Sequence, residues 1–200
     1  MAIWKRKRKN SLRLAGYNYS QPGGYFITVC TEDREHLFGE VCDGKMIENQ
    51  YGQIIRECWK GLPNHYPNVE LDEFVVMPNH IHGIVFVVND LVGAIHESPL
   101  PRDRRKMLLS KIVGRFKMSA AKQINILRHT PGLSVWQRGF YDHIIRDERS
   151  LSRIREYITT NPERWKYDHE NNARIAEDEF DRWLSSFLKD RSIVKKEKPE

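Results

Sequence analysis

The chain has 200 residues, of which 40% are apolar and 30% are charged, and its formal net charge is +6. Such a chain is long enough to bury a substantial core in a single domain, and its composition excludes disordered and fibrous proteins. No apolar run is long enough to cross a membrane, and the three cysteines are too few for a disulfide framework.

The basic residues are concentrated in two blocks. Residues 1–10 carry a net charge of +5 and residues 101–146 carry +9, so the rest of the chain carries −8. This distribution is typical of a protein that binds a polyanion. A solvated basic arm and a solvated helix face would produce the same two blocks, so the charge alone does not identify the partner.

The first half of the chain predicts three strands and one helix. Residues 25–31 form a β-branched and aromatic run, which predicts a strand. Apolar residues at helical spacing over residues 51–62 predict the first helix. Residues 71–77 and 80–88 predict two further strands, and so short a connection between them permits only an antiparallel hairpin.

The second half of the chain begins with a long polar connection, residues 89–106, and then predicts mainly helices. Residues 107–128 predict a helix with an apolar face formed by Leu109, Ile112, Phe116, Ala120, Ile124 and Leu127. Short strand segments are expected within residues 134–145. A third helix is expected from Ser150 to Pro162, and a final amphipathic helix over residues 176–188.

The order of these elements, β-α-β-β-α-β with additional helices, indicates an α+β protein. It matches the ferredoxin-like split βαβ fold, in which helices cover one face of an antiparallel sheet. The other face of the sheet would then be available for a functional site.

His80 and His82 are the first candidate site residues. Residues two apart in a strand point to the same face, so the two imidazoles can hold one divalent ion. They interrupt a face that Ile84, Phe86 and Val88 continue as apolar residues. A His-x-His pair is weak evidence by itself, because two half-exposed strand histidines give the same pattern.

Tyr157 and Asn161 are the second pair of candidates. They are one helical turn apart and therefore share a face, next to the apolar stripe of Leu151, Ile154 and Ile158. Each also has a simple structural explanation, as a packed tyrosine and as a residue that ends a helix.

Together, two imidazoles, an amide oxygen and a phenol suit metal-assisted phosphoryl transfer with Mn²⁺ or Mg²⁺. Tyr157 would be the nucleophile, although only about one free phenol in a thousand is ionised at neutral pH. Arg153, one turn before Tyr157, would favour the phenolate. No carboxylate in the sequence stands out as the base.

With these residues, the sequence resembles the single-tyrosine transposases of the HUH (His-hydrophobic-His) superfamily, and within it the REP-associated tyrosine transposases. The resemblance extends from about Gly23 to Tyr167. It rests on four blocks in the same order: GGYFIT, FVVMPNHIHGIV, WQRGFYDHIIR and YITTNP.

The resemblance implies a ferredoxin-like nuclease fold with a divalent metal, Mg²⁺ or Mn²⁺, held by His80, His82 and Asn161. It implies that Tyr157 is the catalytic nucleophile and forms a 5′-phosphotyrosine bond. His143, in the third block, matches the family without an assigned role, and Arg153 is a second candidate for a supporting role. Tyr141 is a weaker candidate nucleophile, because it lies outside the helix.

The resemblance also implies the partners of the protein. Single-stranded or hairpin DNA would be cut and joined without a nucleotide cofactor, because the covalent bond stores the energy of the broken phosphodiester. A monomer is favoured over a dimer, no membrane is involved, and the location is cytoplasmic, at the nucleoid. Two alternatives remain open: a host-adapted hairpin-binding protein that does not mobilise DNA, and a nuclease that uses water and leaves free ends.

We expect three regions: a basic arm over residues 1–20, a catalytic domain over 21–168, and a C-terminal helix and tail over 169–200. The predicted DNA contacts are Lys5, Arg6, Lys7, Arg8, Lys9, Lys111, Arg115, Lys122 and Arg138. Lys111, Arg115 and Lys122 share one stripe of the second helix. Trp136 and Phe140 are candidates for stacking on unpaired bases, although aromatic residues at such spacing are more often part of a core.

Overall fold

The computed structural model describes residues 17–88, 107–180 and 182–183. The basic residues of the N-terminal arm, the connection over 89–106 and part of the expected final helix (181 and 184–188) therefore lie outside the described residues.

The described elements follow one another along the chain in a mixed order of strands and helices. They are β1 (Gly23–Cys30), β2 (Gly39–Cys42), β3 (Lys45–Glu48), α1 (Gln50–Lys60), β4 (Val69–Met77), β5 (His80–Val87), α2 (Leu108–Leu127), β6 (Tyr141–Ile145) and α3 (Glu148–Thr160). Among the described residues, no helix combines the length and apolar character needed to span a membrane.

Four of the strands form the central sheet, in the order β4-β5-β1-β6. Every pair of neighbours in it is antiparallel. The sheet contains two split βαβ units, β1-α1-β4 and β5-α2-β6. In each unit, a strand of the other unit lies between its two strands. The predicted ferredoxin-like α+β fold is therefore confirmed.

The sheet has a different hydrophobic cluster on each face. On one face, α1 and α2 supply Trp59 and Phe116 to a large core that includes Ile81 and Val85 of β5. On the opposite face, α3 packs its apolar side against the sheet in a smaller cluster, formed by Phe26, Ile84, Leu151, Ile154, Tyr157, Ile158 and Phe180. The face that α1 and α2 leave uncovered is thus occupied in part by α3.

The helix faces agree with the predicted patterns except at helix ends. Leu127 was expected in the apolar face of α2 but is 42% exposed, because it is the last residue of that helix. α3 begins at Glu148, two residues before the expected Ser150, because the Asp147 side chain accepts a hydrogen bond from the Ser150 backbone N–H at 2.7 Å. Asp147 is therefore the N-cap.

The β2–β3 hairpin is an element that the sequence patterns did not predict. Its turn residues Asp43 and Gly44 have φ angles of +48° and +72°, as a type I′ hairpin turn requires. Both strands have only four residues and alternate between half-buried and exposed positions. Strands of this length give little alternation signal.

α3 is attached to the edge of the sheet by an ion pair as well as by apolar packing. The Arg155 guanidinium donates to both carboxylate oxygens of Asp72, at 2.9 and 2.7 Å. Asp72 lies where the register of β4 against β5 shifts between Leu71 and Phe74. The irregularity in β4 therefore provides the anchoring carboxylate for the helix.

Substitution of Gly83 tests how tightly β5 packs against α1. A Cβ at this position would lie 2.5 Å from a ring carbon of Trp59, which is itself stacked on Phe74 with centroids 4.6 Å apart. Gly83→Ala should therefore lower the free energy of unfolding by about 1–3 kcal/mol in urea denaturation. A Cβ at Gly114 on α2 would have no neighbouring atom within 4 Å. Gly114→Ala should therefore raise the free energy of unfolding, by up to about 1 kcal/mol. If the two substitutions changed the free energy of unfolding equally, the close packing of Gly83 against Trp59 would be contradicted.

Candidate active site

Two imidazoles converge at the start of β5. His80 and His82 are 0% and 3% exposed, and both lie on the sheet face that carries α3. Their Nε2 atoms are 3.0 Å apart. The predicted shared face is therefore present, and the two side chains are buried rather than half-exposed.

Each imidazole is held through its other ring nitrogen. His80 Nδ1 is 2.8 Å from the amide oxygen of Asn79, and His82 Nδ1 is 2.9 Å from the hydroxyl oxygen of Thr28. Partners of this kind fix the orientation of a ring. They leave both Nε2 atoms directed at the same point.

Tyr157 and Asn161 meet the histidines at one oxygen atom of Asp168. The Tyr157 hydroxyl donates to Asp168 Oδ2 at 3.1 Å and lies 3.2 Å from His82 Nε2. The Asn161 amide donates to the same Oδ2 at 2.7 Å. Nε2 of His80 and of His82 lie 3.8 and 3.7 Å from it. The four residues predicted from the sequence thus surround a fifth residue, Asp168.

Asp168 corrects the expectation that no carboxylate serves Tyr157. It follows a short 3₁₀ turn, Trp165–Tyr167, where the chain folds back after α3. Its Oδ1 accepts a hydrogen bond from the Glu170 backbone N–H at 2.7 Å, and the residue is 1% exposed. Neither helical periodicity nor strand alternation applies to such a segment, so the sequence carried no signal for it.

The electrostatics of the site favour a neutral His80 imidazole beside a charged Asp168 carboxylate. Burial lowers the pKa of His80 to about 4, so this ring is neutral at neutral pH, as a metal ligand has to be. Burial alone would raise the pKa of Asp168, but the two neighbouring imidazoles and the Asn161 amide outweigh it and hold that pKa well below its usual range.

These residues fit a divalent metal ion. Ligand atoms of His80, His82 and Asp168 all lie within 4.8 Å of one another. Asn161 Oδ1 is buried and has no hydrogen-bond partner among the described residues, which leaves its lone pairs available for a cation. Imidazole nitrogen combined with carboxylate and amide oxygen suits borderline and hard divalent ions such as Mn²⁺ and Mg²⁺.

Tyr157 lies beneath an aromatic residue from the C-terminal region. The Phe180 ring stacks on the Tyr157 ring, with centroids 3.8 Å apart and an angle of 10° between the planes. Tyr157 is only 3% exposed as a result. The part of residues 169–200 that the structure describes therefore packs directly on the candidate nucleophile.

The segment that carries Phe180 is attached through two arginines. Arg164 pairs with Asp178 at 2.5 Å, and Arg153 pairs with Glu179 at 3.6 Å. The Arg153 guanidinium also lies 4.7 Å from the ring centroid of Trp183. The contacts of Arg153 are thus with the covering segment, and its expected effect on the phenol stays a prediction.

His143 and Tyr141 lie on the same sheet face as the histidine pair, but on β6 rather than β5. Tyr141 is opposite Thr28, which in turn is opposite His82, so two strand spacings separate Tyr141 from the histidine pair. His143 is opposite Phe26, and burial lowers its pKa to about 4. Tyr157 is the tyrosine in contact with His82.

Of the predicted DNA-contacting residues, Lys5 to Lys9 lie outside the described residues, and the four that the structure describes lie away from the histidine pair. α2 covers the sheet face opposite the histidines, with Lys111 and Lys122 exposed and the Arg115 guanidinium 3.1 Å from the His65 ring. Arg138 is exposed in the connection between α2 and β6.

The proposed stacking platforms belong to the large core. Trp136 is 6% exposed and donates its indole N–H to the Lys117 carbonyl at 3.0 Å, so the expectation that it stacks on bases was wrong. Phe140 is half-buried and packs on the same cluster. The apolar surroundings that bury both rings explain the outcome.

Comparison with known proteins identifies relatives of this chain. An uncharacterized protein of Haemophilus influenzae is 38% identical over 166 residues, which is 80% of this chain and 91% of that protein. A second protein of the same organism, named "Putative REP-associated tyrosine transposase", is 28% identical over 152 residues, which is 75% of this chain and 76% of that protein. No family model matches.

Among solved structures, a REP-associated tyrosine transposase bound to a REP hairpin has a TM-score of 0.48 and 19% identity, over 89% of this chain and 88% of that one. The sequence relatives match most of their own length and most of this chain. The chain is therefore similar, over three quarters of its length, to a protein that is named as a putative REP-associated tyrosine transposase.

Proposed function

We propose that the protein is an endonuclease and strand transferase for single-stranded or hairpin DNA, with Tyr157 as its nucleophile. The observation that carries the proposal is the position of the Tyr157 hydroxyl, 3.2 Å from His82 Nε2 and 3.1 Å from Asp168 Oδ2. A phenol held between a potential metal ligand and a carboxylate suits nucleophilic attack on a phosphate. One relative of the chain is named "Putative REP-associated tyrosine transposase".

The reaction is an in-line displacement at phosphorus. The phenolic oxygen of Tyr157 bonds to the phosphorus, and the bond from phosphorus to the 3′ oxygen breaks. Asp168 Oδ2 accepts the hydrogen bond of the phenol and orients it, the phenolic proton passes to water, and the leaving oxygen takes up a proton from water to become a 3′-hydroxyl. Attack by another 3′-hydroxyl on the phosphotyrosine rejoins strands without a nucleotide cofactor.

His80, His82, Asp168 and Asn161 would hold the divalent ion. When bound, Mg²⁺ or Mn²⁺ polarises a phosphate oxygen and offsets the charge that develops during attack. The residues of the chain hold and orient the phenol. Asp168 and His82 each contact both the Tyr157 hydroxyl and the other potential ligands.

Tyr157→Phe is the most direct test of the nucleophile. It removes the hydroxyl but keeps the ring on Phe180, so the fold and DNA binding should survive. On a denaturing gel of protein incubated with labelled hairpin DNA and Mn²⁺, the unchanged protein should form a covalent adduct and the variant none. His80→Ala should remove the metal dependence of adduct formation.

Tyr141→Phe is the matched control, because it removes a hydroxyl from the same sheet face and should keep the adduct. An adduct that persists in Tyr157→Phe would refute the assignment. Cleaved DNA with free ends and no adduct would instead indicate the nuclease that uses water.

A hairpin-binding protein that does not cut DNA is the second candidate function. It is favoured by one observation, the burial of Tyr157 beneath Phe180 at 3% exposure. Such a protein would bind hairpins in a salt-dependent manner but would not cleave them in Mn²⁺ or Mg²⁺.

Phe180→Ala distinguishes an enzyme whose nucleophile is covered by Phe180 from a protein that does not cut DNA. A stacked aromatic pair contributes about 0.5–1.5 kcal/mol, so removal of the ring should speed adduct formation by about 2- to 12-fold. Ile175→Ala, at a residue 70% exposed in the same region, should leave the rate unchanged. An unchanged rate in Phe180→Ala would show that the ring does not limit access to Tyr157.

We further propose that the exposed lysines of α2 contact DNA phosphates. Lys111→Glu or Lys122→Glu should weaken hairpin binding and reduce the slope of log affinity against log salt by about 1 each. Lys45→Glu makes the same charge change at an exposed residue of β3 and is the control. If all three variants show the same affinity and slope, the α2 stripe does not contact DNA.

A further inference from the structure

We propose that Asn79 is a positioning residue that fixes the tautomer of His80 and connects this histidine to the segment carrying Asp168. The inference deepens the proposed function, because it rests on His80 as a metal ligand. Asn79 is 0% exposed and lies in the turn between β4 and β5.

The orientation of the Asn79 amide follows from its partners. Its Nδ2 lies 2.8 Å from the Glu170 carbonyl oxygen and 3.4 Å from the Arg34 carbonyl oxygen. Carbonyls only accept hydrogen bonds, so the NH₂ group has to be on that side. The amide oxygen therefore faces His80 Nδ1, at 2.8 Å.

This orientation determines where His80 carries its proton. The amide oxygen of Asn79 only accepts, so the facing Nδ1 of His80 has to be the N–H nitrogen. Nε2 is then left with its lone pair, directed at His82 and Asp168. A ligand nitrogen needs this lone pair in order to bind a cation.

His82 is not constrained in the same way. Its Nδ1 faces the Thr28 hydroxyl, which can either donate or accept a hydrogen bond. Thr28 therefore holds the His82 ring in place and permits either tautomer. Of the two Nδ1 partners, only that of His80 selects a tautomer.

Asn79 also joins three parts of the site. Glu170, whose carbonyl it contacts, is two residues beyond Asp168 and forms an ion pair with Arg34 at 2.7 Å. The Asn79 carbonyl accepts from the backbone N–H and the hydroxyl of Thr31, at 2.8 and 3.0 Å. One buried residue thus contacts His80, the turn after β1, and the Asp168 segment.

Thr31→Val separates positioning from general structural support. It removes the hydroxyl that bonds to the carbonyls of Asn79 and Glu35, at the same buried location, and leaves His80 Nδ1 and its partner intact. Asn79→Ala removes the partner of His80 itself. Both substitutions should lower stability, but only Asn79→Ala should affect the imidazole.

The experiment combines histidine ring ¹⁵N chemical shifts of the metal-free protein with titration of Mn²⁺ alone. The signal of His80 is assigned by its loss in His80→Ala. We expect the Nδ1–H tautomer of His80 in the unchanged protein and in Thr31→Val. We expect loss of that preference in Asn79→Ala, together with Mn²⁺ affinity about 10- to 100-fold weaker, as for other partners of metal-binding histidines.

Three results would overturn the inference. An Nε2–H tautomer of His80 in the unchanged protein would do so whether or not any variant folds. Equal Mn²⁺ affinity in Asn79→Ala and Thr31→Val would reduce Asn79 to a structural role. Unchanged Mn²⁺ binding in His80→Ala would show that His80 is not part of a metal site. If only the expected effect of Asn79 on the tautomer is missing, the proposal that Tyr157 is the nucleophile is unaffected.

Discussion

The alternation of side chains along β5 is the constraint on which the site depends. Ile81 and Val85 pack against α1 and α2, so His80 and His82 have to face the other way. A slip of one residue in register would move every side chain to the opposite face. The core that fixes the register, with Trp59 against Gly83, therefore also keeps both imidazoles on the face that carries α3.

The second requirement is the placement of α3 on that face. Apolar packing of Leu151, Ile154 and Ile158 and the ion pair between Arg155 and Asp72 hold the helix against the sheet. This places the Tyr157 hydroxyl within reach of His82. The chain then turns back after the helix and brings Asp168 to the same point, so that one carboxylate oxygen is shared by the nucleophile and the potential metal ligands.

Much of this arrangement was accessible from local periodicity. The period of two predicted the shared face of His80 and His82, and the period of 3.6 placed Asn161 on the same side of the helix as Tyr157. The order of strands and helices was sufficient for the ferredoxin-like topology. These predictions succeed because each depends on one regular element, whose side-chain directions are fixed by backbone geometry.

The features that the sequence did not predict depend on contacts between separate segments. Asp168 lies in irregular chain, and Phe180 covers Tyr157 because the segment after Asp178 folds back on the sheet. Trp136 is buried because the chain before β6 packs on α2. No local pattern distinguishes such residues from solvated or loop residues.

A covalent bond between Tyr157 and DNA is the claim on which the proposed chemistry depends. The most direct measurement is mass spectrometry of the purified adduct after digestion with nuclease and trypsin. Trypsin releases Tyr157 in residues 156–164 and Tyr141 in residues 139–146, so the two tyrosines are separated. We predict a nucleotide attached through phosphate to the peptide 156–164. The same mass on 139–146, or on neither peptide, would contradict it.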